Sequence, residues 1–431
     1  MPGIDSATGV LYANGDFYDH ILNDMFLPAV ADTVINPNET LRLLPRDKTR
    51  VQGKMVVYPV HTGRNRGGNA IGPDGNLPDP EAQQYDGYRF PIKHLYHRIK
   101  FDGITMDASK SDVASWLRVV ESEVKGAATD MARRRNRIFN NDGSGRLAQV
   151  VSGGGTTTLV LQINQGIEDP DTVPTSLFAP TRFLSAGQRL MFTTSAGATP
   201  VVTTVVSVNS AIEIEVALGT GIANGDWVVE VSREGTTSLV DGAYQNEPMG
   251  LEGIFSDANP ADGTATGFQG VDATAAANAW HRANVLDGGG VSRALTEALM
   301  QRAFSDTIRI GEGMIDCLHG SFGIVNTYID LLIGDKRFVN TTKLAGGASA
   351  VTFNDIPFIA ERDAYSNRIK FLDKGNLRVY VMADPQWMSY DGSTFHRMSD
   401  KDGYQATLFC REQLGVDVRD KCTHLTDLTE I

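Results

Sequence analysis

Residues 109–141, SKSDVASWLRVVESEVKGAATDMARRRNRIFNN, constrain this chain more than any other stretch. Apolar side chains recur in it at three- and four-residue steps, the period of one helical face: Val113, Trp116, Leu117, Val120, Val124, Ala127, Ala128, Met131 and Ile138. Ser109 or Ser111 can cap the first turn, and no proline interrupts the stretch. At 1.5 Å per residue the predicted helix is roughly 48 Å long. Because its apolar stripe needs a broad surface to cover it, we interpret it as the spine of a flat, extended subunit.

The composition is that of a folded protein and excludes several classes. With 431 residues, 41% of them hydrophobic and 21% charged, the chain is long enough for two or three domains. It has no apolar run of bilayer-spanning length and no secretion-signal layout at its start, so we expect it to stay where it is made. Cys317, Cys410 and Cys422 show no CxxC spacing, which predicts reduced, mostly buried thiols.

The charge pattern argues against a protein that wraps nucleic acid over most of its surface. Lys and Arg number 39 against 52 Asp and Glu, which gives a net charge of −13. A local basic group closes the predicted spine helix: Arg133, Arg134, Arg135 and Arg137. Two interpretations of this group stay open. Its members either complement the negative end of the helix dipole or contact a phosphate or an acidic neighbour.

The first hundred residues contain little that can fold alone. Residues 1–48 are predicted to form an arm that borrows its partners from elsewhere, with a short amphipathic helix at 17–30. Residues 49–100 are predicted to form an extended hairpin loop with strands at 55–60 and 88–101. The connector HTGRNRGGNAIGPDGNLPDP holds five glycines and three prolines, which suits an exposed tip. Because a two-stranded ribbon is marginal alone, we expect it to lie on another subunit.

Residues 151–240 differ in sequence pattern from the rest of the chain. Short β-branched runs alternate there with turns: TTTLVLQI, QRLMF, VVTTVVSV, AIEIEVAL and DWVVEV. Ile212, Ile214 and Val216 alternate with two glutamates, and Asn224-Gly225 signals a tight turn. We predict a small all-β barrel or sandwich inserted between residues 101–150, which hold the spine helix, and residues 241–300.

The last part of the chain mixes helices and strands. A helix is predicted at 291–307, with an apolar side made of Ala294, Leu295, Ala298, Leu299 and Ala303. Another helix is predicted at 321–332, between strands at 314–320, 355–364, 368–373 and 377–383. A long strand at 404–418 is expected to run beside the spine helix. Residues 301–390 therefore form a compact α/β unit, and residues 391–431 return to the spine.

The sequence predicts no catalytic, cofactor-binding or metal-binding residue. It contains no GxSxG elbow, GK[ST] phosphate loop or HExxH, and the third glycine of a Rossmann GxGxxG is replaced after Gly219 and Gly221. His94 and His97 face opposite sides of their strand, which favours surface or partner-contact histidines over shared metal ligands. Glu168, Asp169 and Asp171 fit either a calcium loop or a solvated acidic turn.

The order of these segments resembles the major capsid proteins of tailed bacteriophages, which have the Hong Kong 97 phage-type fold. The resemblance is carried by five segments: YHRIKFDGITMDASKSD, RRRNRIFNNDGSGRLAQV, MGLEGIF, LRVYVMADPQW and DGYQATLFCREQLGVDVRD. It covers nearly the whole chain except the β insert. It implies an α+β fold with an N-terminal arm, an extended loop, a peripheral domain built on the spine helix and an axial domain at 301–390. Residues 241–300 and the terminal strand at 391–431 would complete the peripheral domain.

The resemblance also implies a structural function that depends on contacts between subunits. The chain would be a head protein of the virion, assembled in the host cytoplasm through pentamers and hexamers into an icosahedral shell around double-stranded DNA. It would need no cofactor, enzymatic activity or membrane. The long N-terminal scaffolding segment of the prototype is missing here, so scaffolding would come from a separate protein or not be needed. Separate decoration and portal proteins are the other partners that the resemblance implies. Lys54 and Lys93 flank the hairpin either as shell cross-linking lysines, which some members have, or as ordinary surface lysines.

Two other classes stay open at this stage. A nanocompartment shell protein shares the fold but encloses enzymes, and it would usually be smaller and lack the insert at 151–240. A β-rich carbohydrate-active enzyme would use that insert as a binding module. Large uniform particles would separate either shell protein from an enzyme, which remains a small oligomer.

Overall fold

The computed structural model describes residues 39–73, 75–102, 113–163, 179–194, 200–233, 238–261, 267–334, 341–343, 349–389, 392–399 and 401–430. The helix predicted at 17–30 and the acidic residues Glu168, Asp169 and Asp171 lie outside these ranges. Within them, no helix combines the length and apolarity needed to cross a membrane.

The described elements are runs of β-strands separated by a few α-helices. The helices are α1 (Glu39–Leu43), α2 (Val113–Asn140), α3 (Leu251–Ile254), α4 (Glu297–Gly311) and α5 (Phe322–Gly334). The strands are β1 (Arg46–Asp47), β2 (Val51–Gln52), β3 (Met55–Gly63), β4 (Gln84–Pro91), β5 (Lys93–Asp102), β6 (Arg146–Ser152), β7 (Thr158–Gln162), β8 (Arg189–Thr193), β9 (Val201–Val208), β10 (Glu213–Val216), β11 (Trp227–Glu230), β12 (Asn284–Leu286), β13 (Cys317–Gly320), β14 (Thr341–Lys343), β15 (Ser349–Phe353), β16 (Ile356–Ala360), β17 (Ile369–Leu372), β18 (Leu377–Trp387), β19 (His396–Arg397), β20 (Gly403–Val416) and β21 (Thr423–Leu425).

The predicted spine is the 28-residue helix α2, which lies on a five-stranded sheet. In that sheet β20 pairs with β18, β19 and β5, and β1 pairs with β18. Val124, Ala128 and Met131 of α2 are buried against Leu95 of β5 and Leu408 of β20. The predicted helical period is confirmed for the side chains that the structure describes, and the terminal strand lies beside the spine as predicted.

The strand predicted at 88–101 is wrong as a single element. The structure divides it into β4, which pairs with β3, and β5, which pairs with β20 in a different sheet. Pro91 ends β4, since proline has no N–H to donate to a continuing ladder. The next residue, Ile92, donates its N–H to the carbonyl of Lys54 at 3.1 Å and turns the chain toward the second sheet.

A seven-stranded mixed sheet forms the second body of the molecule, in the order β12-β21-β17-β13-β16-β15-β14. Its core includes Met300 and Ala303 of α4 and Ile324 of α5. The helix predicted at 291–307 begins later, at Glu297, because the hydroxyl of Thr296 accepts the N–H of Leu299 and caps the first turn.

The insert is a closed six-stranded barrel in the order β10-β7-β6-β11-β8-β9. Ile214 and Val216 point into its core, while Glu213 and Glu215 of the same strand are half-buried on the other side, as the alternation predicts. The first strand begins at Arg146, before the predicted bound at 151. The three cysteines are buried free thiols, which confirms their prediction.

Candidate assembly site

The hairpin β3–β4 has one half that is built into its own subunit. We call residues 55–60 and 88–91 the anchored half. Tyr58 and Tyr88 pack there against Tyr380 of β18 and neighbouring apolar side chains. The hydroxyl of Tyr58 donates to the carbonyl of Val416 at 3.2 Å. The hydroxyl of Tyr88 lies 3.0 Å from Nδ1 of His281. The anchored half is therefore part of the subunit core.

His281 is the hydrogen-bond partner of Tyr88 in the anchored half. Its Nε2 lies 3.0 Å from the carbonyl oxygen of Phe268, so Nε2 donates and Nδ1 accepts the hydroxyl of Tyr88. Burial, reinforced by the nearby Arg419 guanidinium, lowers the pKa of His281 to about 4. Burial likewise raises the pKa of Tyr88 above its usual range. Both groups are held neutral at physiological pH.

The other half of the hairpin has the opposite character. We call residues 61–87 the distal half, and none of its described residues is buried. Leu77 is 86% exposed and Tyr85 is 67% exposed. The chain ends of the tip are tied by local bonds, including one from the N–H of Asn65 to Oε1 of Gln83 at 3.0 Å. The distal half therefore leaves large apolar side chains uncovered on the subunit alone.

The expectation that the whole ribbon lies on another subunit is wrong for the anchored half. A cluster of buried rings and aliphatic side chains from β18 and the 268–281 region covers that half within one chain. Burial of these apolar side chains supplies the stability that an isolated two-stranded ribbon lacks. For the distal half the expectation stays a prediction.

The described end of the predicted arm, residues 39–48, also packs on its own subunit, contrary to the expectation for the whole arm. Leu41 and Leu44 are buried in the core that contains Phe139 of α2. The hydroxyl of Thr40 donates to Oε2 of Glu361 at 3.0 Å. Burial of the two leucines and this hydrogen bond hold α1 against the end of the spine helix.

The arginines at the end of α2 contact acidic neighbours of the same chain. Arg135 forms a bidentate pair with Glu412 in which Nε lies 2.6 Å from Oε1, and both side chains are almost fully buried. Arg137 is buried and pairs with Glu247. Arg134 pairs with Glu230 of the barrel. The interpretation that these arginines contact acidic neighbours is therefore confirmed for three of them. Their ion pairs connect the spine helix to the strand β20, to the loop that contains Glu247 and to the insert.

The remaining candidates of the sequence do not come together. His94 and His97 lie on opposite faces of β5, since His97 shares its face with buried Leu95 and His94 is exposed. No group of three or more His, Cys, Asp or Glu side chains within the described ranges is placed to hold a metal ion. Lys54 is exposed, and Nζ of Lys93 donates to the carbonyl of Gln245 at 2.7 Å. Both interpretations of Lys54 and Lys93, as cross-linking lysines and as ordinary surface lysines, therefore stay open.

Comparison with known proteins gives a fold. No protein-family model and no curated protein matches the chain. A chain of the cyanophage A-1(L) capsid asymmetric unit superimposes with a TM-score of 0.52 at 14% identity, over 91% of this chain and 93% of that one. The chain has the Hong Kong 97 phage-type capsid fold. This confirms the fold class and the resemblance predicted from the order of segments.

Two further structures of capsid and shell proteins are similar at a lower level. The encapsulin of the holo-SrpI complex from Synechococcus elongatus aligns at 11% identity and a TM-score of 0.43, over 91% of this chain and 88% of that one. The capsid of an empty GTA particle aligns at 12% identity and a TM-score of 0.43, over 89% and 94%.

Proposed function

We propose that the chain is the major capsid protein of a tailed double-stranded DNA bacteriophage, which assembles through pentamers and hexamers into an icosahedral shell. The observation that carries the proposal is the distal half of the hairpin, none of whose described residues is buried although it presents Leu77 and Tyr85. A projection that exposes these large apolar side chains and is fixed to the subunit core is suited to lie on a neighbouring copy. The capsid fold supplies the setting for that contact.

The physical mechanism is repeated contact between copies. A projection from one subunit that lies on a different surface of the next gives a head-to-tail interface, and such interfaces close into rings when the rotation fits. Burial of the distal half would then occur in the particle and not in the free subunit. The anchored half fixes the direction of the projection because its tyrosines are part of the subunit core.

The charge distribution supports an enclosing wall. The net charge is −13, and Arg135 and Arg137 are neutralised by buried glutamates inside the subunit. Because these two arginines are paired inside the subunit, they are not available to phosphates. The shell would therefore enclose packaged DNA without binding it tightly. Scaffolding, decoration and portal proteins would be separate partners.

Electron microscopy of the purified protein, expressed alone or with its neighbouring genes, tests the proposal. We expect uniform shells many times larger than the 46.7 kDa subunit. Replacement of residues 61–80 by a short Gly-Ser linker is expected to abolish the shells while the subunit keeps its cooperative unfolding. A small oligomer from the unmodified chain, or intact shells after the replacement, would contradict the role given to the hairpin.

A matched pair of point variants sharpens the same test. Leu77→Ser changes an 86% exposed leucine of the distal half, and Leu218→Ser changes a 51% exposed leucine of the insert. Each is expected to alter subunit stability by less than about 0.5 kcal/mol, as exposed substitutions usually do. Only Leu77→Ser should reduce the yield of shells in sedimentation. Equal shell yields from the two variants would count against the distal half as an assembly surface.

A further inference from the structure

The chain crosses twice between the five-stranded sheet under α2 and the three-stranded sheet β2-β3-β4 that contains the hairpin. One crossing is residues 91–93, after β4 ends. The other is residues 47–51, in which Asp47 pairs with β18 of the five-stranded sheet and Val51 pairs with β3 of the hairpin. Arg50 immediately precedes β2 in this second crossing. Any rotation of the hairpin relative to the five-stranded sheet therefore takes place about these two crossings.

The side chain of Arg50 contacts the hairpin and the five-stranded sheet at the same time. Its guanidinium lies over the ring of Tyr58 in β3, with Cζ 4.7 Å from the ring centroid. Its Nη1 donates to Oδ1 of Asp417, just after β20, at 2.9 Å and lies 3.5 Å from the hydroxyl of Tyr380 in β18. Its Nε lies 3.6 Å from Oδ2 of Asp47 in β1. One side chain thus connects the hairpin to three parts of the sheet below it.

Asp417 is itself held in place by the five-stranded sheet. Its Oδ2 lies 3.3 Å from Nε of Arg378 in β18, and its backbone N–H donates to the carbonyl of Asn376 at 2.9 Å. The two carboxylate oxygens therefore face two arginines, of which Arg50 leads into the hairpin and Arg378 belongs to the sheet. The side chains of these arginines are 34% and 32% exposed. The two ion pairs share an acceptor and a degree of exposure, and they differ in what they connect.

Apolar packing and polar contacts constrain the anchored half in different ways. Burial of the rings of Tyr58 and Tyr88 stabilises the contact through the area removed from water, and this effect is non-directional. Hydrogen bonds and arginine–carboxylate pairs are directional, because they weaken steeply when their angles change. The pair of Arg50 with Asp417 therefore resists a rotation of the hairpin that ring packing opposes less strongly.

A small rotation at the base is magnified along the ribbon. The strand β3 has nine residues, which at about 3.3 Å per residue make it roughly 30 Å long. A rotation of about 10° at Arg50 would move the far end of such a strand by about 5 Å, which is enough to break a hydrogen bond or an apolar contact. The direction of the hairpin therefore decides where Leu77 and Tyr85 of the distal half are presented.

We propose that Arg50, held by Asp417, is a positioning residue that sets the direction in which the hairpin β3–β4 leaves the subunit, so that the distal half meets a neighbouring copy. Its role is geometric. The pair adds little to the stability of the subunit because both side chains are partly exposed, but it selects one orientation of the ribbon. The inference rests on the proposed function, because it assigns a residue to the contact between subunits of the shell.

Pulsed electron paramagnetic resonance measures this direction in the full-length protein. Nitroxide labels are attached through Ala82→Cys in the distal half and Ser122→Cys in α2, which are both exposed positions, whereas the native cysteines are buried. The labelled subunits are kept below the concentration at which they assemble. We expect one narrow distance distribution in the parent and a distribution about 5 Å wider in Arg50→Met, from the length of β3. A distribution in Arg50→Met as narrow as that of the parent would overturn the inference.

Arg378→Met is the matched control, because it removes a cation from the same carboxylate without touching the hairpin. It should leave the distance distribution unchanged. Asp417→Asn should widen the distribution as much as Arg50→Met does. Arg50→Lys keeps the charge but loses the planar contact with Tyr58, so it should give an intermediate width. Equal widening in Arg378→Met, or a width in Arg50→Lys equal to that in Arg50→Met, would contradict the role given to the ion pair.

The yield of shells separates this inference from the proposed function. In sedimentation, Arg50→Met is expected to give about tenfold fewer closed shells than Arg378→Met, which corresponds to about 1.4 kcal/mol of contact free energy. A wider distance distribution with equal shell yields would overturn the role of Arg50 in assembly. A wider distribution in a protein whose parent forms no shells would support Arg50 as the residue that sets the direction and would contradict the capsid role.

Discussion

The two halves of the hairpin β3–β4 share the same two strands but have opposite surroundings. In the anchored half alternate residues are buried, with Val56 and Tyr88 fully covered by the subunit. In the distal half no described residue is buried, although Tyr85 belongs to the same strand as Tyr88. Strand formation is thus common to both halves, and the body beneath decides which half is core. A ribbon of this kind can be a firm support and an open contact surface at once.

The largest expected effect compares these two tyrosines. Tyr88→Ala should lower the free energy of unfolding by about 4–6 kcal/mol, since it empties a buried aromatic site and leaves Nδ1 of His281 without its hydrogen-bond donor. Tyr85→Ala should change it by less than about 0.5 kcal/mol. Denaturant unfolding of the two variants measures the difference. Similar losses in both would show that the distal half is also part of the subunit core.

The second prediction compares a buried ion pair with an exposed one. Arg135→Met leaves Glu412 buried without its cation and should cost about 3–5 kcal/mol of unfolding free energy. Arg64→Met, in the distal half, breaks an exposed pair with Glu312 and should cost about 0–1 kcal/mol. Thermal and denaturant unfolding provide both values.

The double variant Arg135→Met/Glu412→Leu is the control for that comparison. It removes both charges together, so it should recover much of the stability that the single change loses. If the double variant is as unstable as Arg135→Met, the loss comes from packing and not from an unpaired charge.

The third prediction concerns pH and the His281 anchor. Its pKa is about 4 in the folded chain, below the ordinary value near 6.5, so the unfolded state takes up a proton first as pH falls. Stability should therefore decline between pH 6.5 and about 4, by at most about 1.4 kcal/mol per pH unit from this group. His281→Gln should flatten the slope measured by denaturant unfolding in that window, whereas an identical slope would assign the decline to other groups.

Several elements of the fold follow from local patterns alone. The three- and four-residue spacing of Val124, Ala128 and Met131 predicts α2, and the structure buries these side chains. Alternation around Ile214 predicts the insert, which closes as a barrel. Both patterns record which face of an element is apolar, and that information lies within a few residues. The candidate site is less visible from sequence, since only the glycine- and proline-rich connector marks its exposed tip.

The sequence by itself determined the kinds of element, their order and the capsid-type plan that this order resembles, because helical and strand periods are local properties. Only the tertiary structure decided which residues and strands contact one another. Arg135 meets Glu412, which is 277 positions away, and the ribbon changes sheets after Pro91 because the edge of β20 lies beside it. Tyr88 is core and Tyr85 is surface for the same reason. Burial and ion pairing depend on groups that are distant in sequence, and no local pattern states where those groups will be.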